Sequence, residues 1–145
     1  MNNTKEQAIL MMKPSGRITI VAGYPLEELV KVILESTGLT IVRDIECQLH
    51  EKDVRNIYPI LNVPDFQYGE EWKQDVIDHL TSRPVRAFLV EGDNAQNKAT
   101  TIKQHIRTTF TNSSEGYQSK VVNNIAHVAD PEDFIPTYKA LFQNS

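Results

Sequence analysis

The chain has 145 residues, 40% of them hydrophobic, and a formal net charge of −4. That length supports one well-buried core and is short for two, so a single domain over residues 1–145 is expected. The acidic balance excludes a protein that coats nucleic acid, because no general basic surface is available to displace counterions from a phosphate backbone; a basic pocket for one phosphate group stays compatible with it.

From the N-terminus, Met1 to Glu6 lacks the basic and apolar regions of a signal peptide. Ala8 to Met12 is an unbroken apolar run closed by Lys13-Pro14, which predicts a strand over Gln7 to Lys13 buried on both faces. Leu26, Leu29, Val30, Ile33 and Leu34 repeat at helical spacing, with Pro25 suited to the first turn and Gly38 to the left-handed position just past the end. Leu39 to Leu49 reads as a second strand with Ile41, Ile45, Cys47 and Leu49 on one side. Cys47, the only cysteine, has no partner for a disulfide or a metal cluster and reads as a buried structural thiol in an intracellular protein.

Glu51 to Tyr58 predicts a short helix, Pro59 to Gly69 an excursion over the surface, and Glu70 to Thr81 a helix whose Trp72, Val76, Ile77 and Leu80 face inward. Pro84 to Val90 predicts a third strand ended by Glu91-Gly92-Asp93-Asn94, after which Ala95, Ala99, Ile102 and Ile106 trace a helical face. Thr111 to Ser119 is polar and turn-rich, and Val121 to Val128 is strand-like. Asp130-Pro131 then opens a last helical region through Phe142, which Pro136 delays or kinks. No apolar run approaches the roughly eighteen residues of a membrane span, so a soluble, cytoplasmic protein without membrane partners is expected. The element order gives an α+β fold compatible with a ferredoxin-like antiparallel sheet of about four strands with helices packed on it. Order alone leaves function open.

Four segments add more. They are A-I-L-M-M-K-P-S around Lys13, L-H-E-K-D-V-R-N-I-Y ending at Tyr58, T-S-R-P-V-R-A-F-L-V-E-G from Thr81 to Gly92, and N-N-I-A-H-V-A-D from Asn123 to Asp130. In that order, across about residues 5 to 142, they resemble the K-P-D strand end, the tyrosine helix, the S-G-P-V-x-A-x-V-x-E-G segment and the N-x-x-H-G-S-D segment of nucleoside diphosphate kinases.

The resemblance implies a phosphotransferase that moves a γ-phosphoryl group between nucleoside tri- and diphosphates through a phosphohistidine at His127, with Mg²⁺ accompanying the nucleotide. Position alone also fits a strand-end histidine that satisfies a backbone group. Lys13 and Arg107 become the cations for the phosphates, Lys13 as a point charge and Arg107, in H-I-R-T-T-F, by fork geometry; either also reads as a solvated charge. Tyr58 matches the tyrosine that borders the histidine, or it fills a packing gap. Trp72 falls where the family stacks a phenylalanine on the nucleobase, or it anchors its helix in the core. Asn124 matches the asparagine near ribose and phosphate oxygens, with Asn123 leaving the register open by one. The catalytic set is thus His127, Lys13 and Tyr58, the nucleotide-binding set Lys13, Trp72, Arg107 and Asn124, and no protein-held metal is expected. The family also implies a homo-oligomer, dimer or higher.

Departures from the pattern weaken the site. Val128 and Ala129 replace the glycine and serine after the histidine, and Tyr138 replaces a glutamate that would orient the imidazole. Thr100 stands for a helix arginine, with Lys98 and Lys103 as possible substitutes. An alternative function is therefore a catalytically inactive nucleotide-binding or protein-interaction module on the same fold.

Overall fold

A computed structural model describes residues 5–64, 69–110 and 125–143. The central strand, β1 (Glu6–Met12), follows from its composition: Ala8 to Met12 are all at most 1% exposed, which only a strand covered on both faces allows. Alternation divides the run. Ile9 and Met11 join one core with Leu49, Val54, Trp72 and Leu141, while Ala8, Leu10 and Met12 join a second with Val30, Leu34, Ala99 and Ile106. Each Ile, Leu or Met buried here contributes about 1.5–3 kcal/mol relative to exposure.

After β1 come α1 (Pro14–Arg17), a hairpin of β2 (Ile20–Val21) and β3 (Tyr24–Pro25), and α2 (Leu26–Ser36). Next are β4 (Thr40–Cys47), α3 (Glu51–Ile57), a 3₁₀ turn at Pro59–Asn62 and α4 (Gly69–Thr81). The chain continues through β5 (Val85–Gly92), α5 (Ala95–Phe110) and β6 (Ala126–Val128). It closes with a 3₁₀ turn at Pro131–Asp133, α6 (Phe134–Tyr138) and a π turn at Lys139–Gln143. The main sheet is antiparallel with order β4-β5-β1-β6, the expected four-stranded α+β arrangement. No helix among the described residues is long and apolar enough to cross a membrane.

The second strand differs from its expected pattern. Val42 is bulged out between Ile41, which pairs with Val90, and Arg43, which pairs with Leu89. The extra residue reverses the facing. Ile41 therefore packs against the α2/α5 core, whereas Ile45, Cys47 and Leu49 pack against the other, and Ile41 does not share their side as the spacing predicts. Pro25 is the N-cap of α2 rather than a first-turn residue, and Gly38, at φ +91°, supplies the left-handed stop. Pro136 sits in the first turn of α6, where no intrahelical acceptor is waiting for its missing N–H, so it does not break the helix. The β2–β3 hairpin turns on Ala22 (φ +51°) and Gly23 (φ +85°), the two positive-φ positions of a type I′ turn.

Strand and helix lengths match. β1 spans about 20 Å at about 3.3 Å per residue, and α5 climbs about 18 Å from Ala95 to Arg107 at 1.5 Å per residue. Glu6 Oε1 accepts the Gln96 N–H at 2.7 Å at one end, so α5 delivers Arg107 to the Met12 end. A salt-bridge network ties the layers: Arg86 meets Asp44 through two bonds of 2.8 Å and Glu28 at 3.0 Å, and Arg17 meets Glu27 at 3.0 Å and Glu46 at 2.8 Å.

Candidate active site

Where β1 ends, the sheet gathers the chemistry. β6 pairs with β1 so that His127 lies opposite Met11, and paired residues share a face, which puts the imidazole on the α3/α4 side. The Lys13 N–H donates to the Ile125 carbonyl at 2.7 Å and extends this pairing one step past β1. Ile125 holds φ +74°, an unusual state for a β-branched residue. Gly16 permits the crossing: a Cβ there would sit 2.6 Å from the Ile125 oxygen.

Tyr58 arrives from the helical layer on that side. It ends α3, whose start is fixed by a capping box in which Asp53 accepts the His50 N–H at 2.9 Å. Its ring lies 4.4 Å from the His127 ring, tilted by 43°, and the Lys13 Nζ stands 5.6 Å from the Tyr58 centroid. Arg107 closes the group, its Nε donating to the Ala126 carbonyl at 2.9 Å. Lys13, Tyr58, His127 and Arg107, separated by up to 114 residues of sequence, thus meet at one end of the sheet.

The electrostatics are those of crowded, desolvated cations. Burial, then the charges of Lys13, Arg107 and Lys103, hold the His127 imidazole well below its ordinary range, so it is neutral at working pH. Burial, then Arg107 and Lys103, depresses the Lys13 amine in the same way. Burial raises the Tyr58 phenol, with Arg107 opposing, so it stays protonated. An anion entering such a group would offset the mutual repulsion of Lys13, Arg107 and Lys103.

His127 keeps partial exposure as a residue, yet its Nε2 is sealed and has no hydrogen-bond partner among the described residues; the Tyr58 hydroxyl is in the same position. Val128 packs into the α2/α5 core, on the face away from the imidazole, and Tyr138 packs between Phe134 and Phe142, where it carries no carboxylate to the ring.

Trp72 is 6% exposed within the core of α3, α4 and the C-terminal turn; in this arrangement the indole is a core side chain, and stacking on a base would require α4 to swing outward. Asn124 lies outside the described residues. Of the two lysines read as substitutes for the missing arginine, Lys103 lies one helical turn before Arg107 and acts on both Lys13 and His127. The Lys98 amine stands near Gly38, 3.9 Å from where a Cβ would be, at the other end of the sheet.

His79 was not singled out from sequence. It is half-buried on α4, its Nε2 lacks a partner among the described residues, and its pKa is lowered by burial and then by Lys13. Its place seven residues after Trp72 on the inward stripe was the available signal. Among the described residues no group of three or more His, Cys, Asp or Glu side chains could hold a metal.

No protein-family model and no curated protein matches the chain by sequence. Solved structures do match. A nucleoside diphosphate kinase from Borrelia burgdorferi, a transition-state mimic with vanadate and ADP, is 18% identical over 95% of this chain and 87% of its own, with a TM-score of 0.67. One from Halobacterium salinarum in complex with CDP is 19% identical over 96% and 88%, at 0.64. A nucleoside diphosphate kinase family protein from Babesia bovis is 18% identical over 96% and 89%, also at 0.64. The chain has the nucleoside diphosphate kinase fold.

Proposed function

We infer that this chain is a divergent nucleoside diphosphate kinase-like phosphotransferase, working as a single domain, with His127 as the group that accepts the γ-phosphoryl of a nucleoside triphosphate and passes it to a diphosphate. The observation that carries the reading is the Tyr58–His127 ring contact beside Lys13, with Arg107 and Lys103 adding positive charge to the same point. A neutral imidazole is a nucleophile, and phosphoryl transfer asks for alignment and for cancellation of charge on the transferring oxygens. Lys13 and Arg107 provide that charge, and an entering phosphate offsets the burial and the neighbouring charges that disfavour the Lys13 cation. The donor set is cationic and aromatic, so Mg²⁺ fits as an ion carried in on the phosphates, where it offsets their charge, and not as one held by the chain.

With Nε2 sealed, attack falls to Nδ1 and leaves the proton on a buried N–H lacking an acceptor among the described residues. Such a group costs about 1–3 kcal/mol, which argues for slow turnover. The same feature favours the second reading, a module that binds nucleotide without transfer. One experiment separates them: incubation with radiolabelled ATP and Mg²⁺, beside His127→Ala, together with thermal melting in nucleotide. Acid-labile label on the parent alone supports transfer. A raised melting temperature without label supports binding only, and neither response removes both readings.

A further inference from the structure

Two hollows lie at the opposite end of β1 from Lys13 and meet along Gln7, Phe134 and Ile135. The smaller, 370 Å³, is lined by Leu89, Phe134 and Tyr138 and by the cations Arg43 and Lys139. The larger, 580 Å³, is lined by the amide side chains of Gln7, Asn94, Gln96 and Asn97. Apolar surface is open to water here: Ile135, which borders both hollows, is 65% exposed, and Val42, in the wall of the smaller, is 46% exposed.

Charge narrows the occupant. Acids outnumber bases 19 to 15 in the chain, yet no Asp or Glu lines the smaller hollow. Among the described residues Arg43 and Lys139 hold no carboxylate, as Lys52, Arg83, Lys98 and Lys103 do not either, but here two such cations flank one apolar hollow. Arg43 lies over the Phe142 ring at 5.2 Å instead. Glu6 borders the larger hollow, but its Oε1 is engaged with the Gln96 N–H. Gln7 Nε2 donates to Glu91, Gln96 Nε2 to the Ala129 carbonyl and Asn97 Nδ2 to Asn94 Oδ1, so the amides offer an occupant chiefly the Gln7, Gln96 and Asn97 oxygens, which a peptide N–H satisfies and a lipid tail would leave unpaired.

We propose that this groove docks a segment of a partner protein in which a bulky apolar side chain, seated beside Phe134 and Ile135, is flanked by Asp or Glu facing Arg43 and Lys139. The site is separate from the His127 group and does not depend on the reading given above. It is tested by selecting a phage-displayed random dodecamer library on the full chain and measuring the recovered peptides by fluorescence polarisation. Bulky apolar residues flanked by acids are expected, with binding that weakens in salt and falls at least tenfold for Arg43→Glu/Lys139→Glu and for Ile135→Asp, each checked for a native melt. Empty selections, basic or purely polar peptides, or peptides indifferent to both variants would overturn the proposal. So would a change of oligomeric state in Ile135→Asp by sedimentation, which would make the face a contact between copies of this chain.

Discussion

The Tyr58 and His127 rings touch at 4.4 Å with a 43° tilt, and this contact takes over the orientation of an imidazole whose sealed nitrogen has no partner among the described residues. The ring of Tyr58 therefore matters more than its hydroxyl. Tyr58→Phe is expected to keep the fold with a stability change within about 1 kcal/mol, since it removes a buried, unpartnered O–H. Tyr58→Ala should cost about 3–5 kcal/mol by urea unfolding and abolish labelling of His127. Equal loss in both variants would show that the hydroxyl holds the site.

The neutral imidazole has a pH signature. The folded pKa of His127 lies well below the unfolded value of about 6.5, so its contribution is complete above that pH and is lost as pH falls toward the folded value, while the unfolded chain takes up the proton. His79 is shifted the same way, so the comparison must isolate one group. Parent and His127→Gln stability curves should diverge below about pH 6.5 by up to about 1.4 kcal/mol per unit, the parent falling faster. Parallel curves would mean that His127 is solvated.

Lys103 and Lys98 provide a matched pair on one helix. Lys103 acts on Lys13 and His127, whereas Lys98 lies by Gly38 at the far end of the sheet. Lys103→Ala is expected to weaken nucleotide binding about tenfold, roughly 1.4 kcal/mol, with Lys98→Ala unchanged. Titration calorimetry decides it; equal effects would place the phosphates elsewhere.

Much of this was legible in the residues. The unbroken run of Ala8 to Met12 requires two covered faces, and two cores are found there. Periodicity could not reveal the Val42 bulge, because Ile41 and Ile45, four residues apart, read as one side until pairing with β5 fixes the register. Motif order placed Lys13, Tyr58, Arg107 and His127, but composition cannot distinguish an inward tryptophan from a stacking platform, and Trp72 lies in the core. His79 carried no motif, and its approach to Lys13 follows only from packing α4 on the sheet.

Gly16 tests how the site is held. A methyl group at this position would meet the Ile125 oxygen at 2.6 Å, its Cγ2 at 2.8 Å and the Met12 Cε at 3.0 Å. Met12 Cε can swing away, but the Ile125 oxygen is backbone, already accepts the Lys13 N–H, and belongs to a residue held at φ +74° two positions before His127. Gly16→Ala must therefore push Ile125 and β6 away from β1. A loss of about 1–3 kcal/mol by chemical denaturation is expected, with His127 labelling reduced more than tenfold in protein that remains folded. Gly23→Ala, where nothing lies within 4 Å, meets only the penalty of its positive φ and should leave labelling intact. If the two variants lose labelling alike, the Gly16–Ile125 crossing does not set the position of His127.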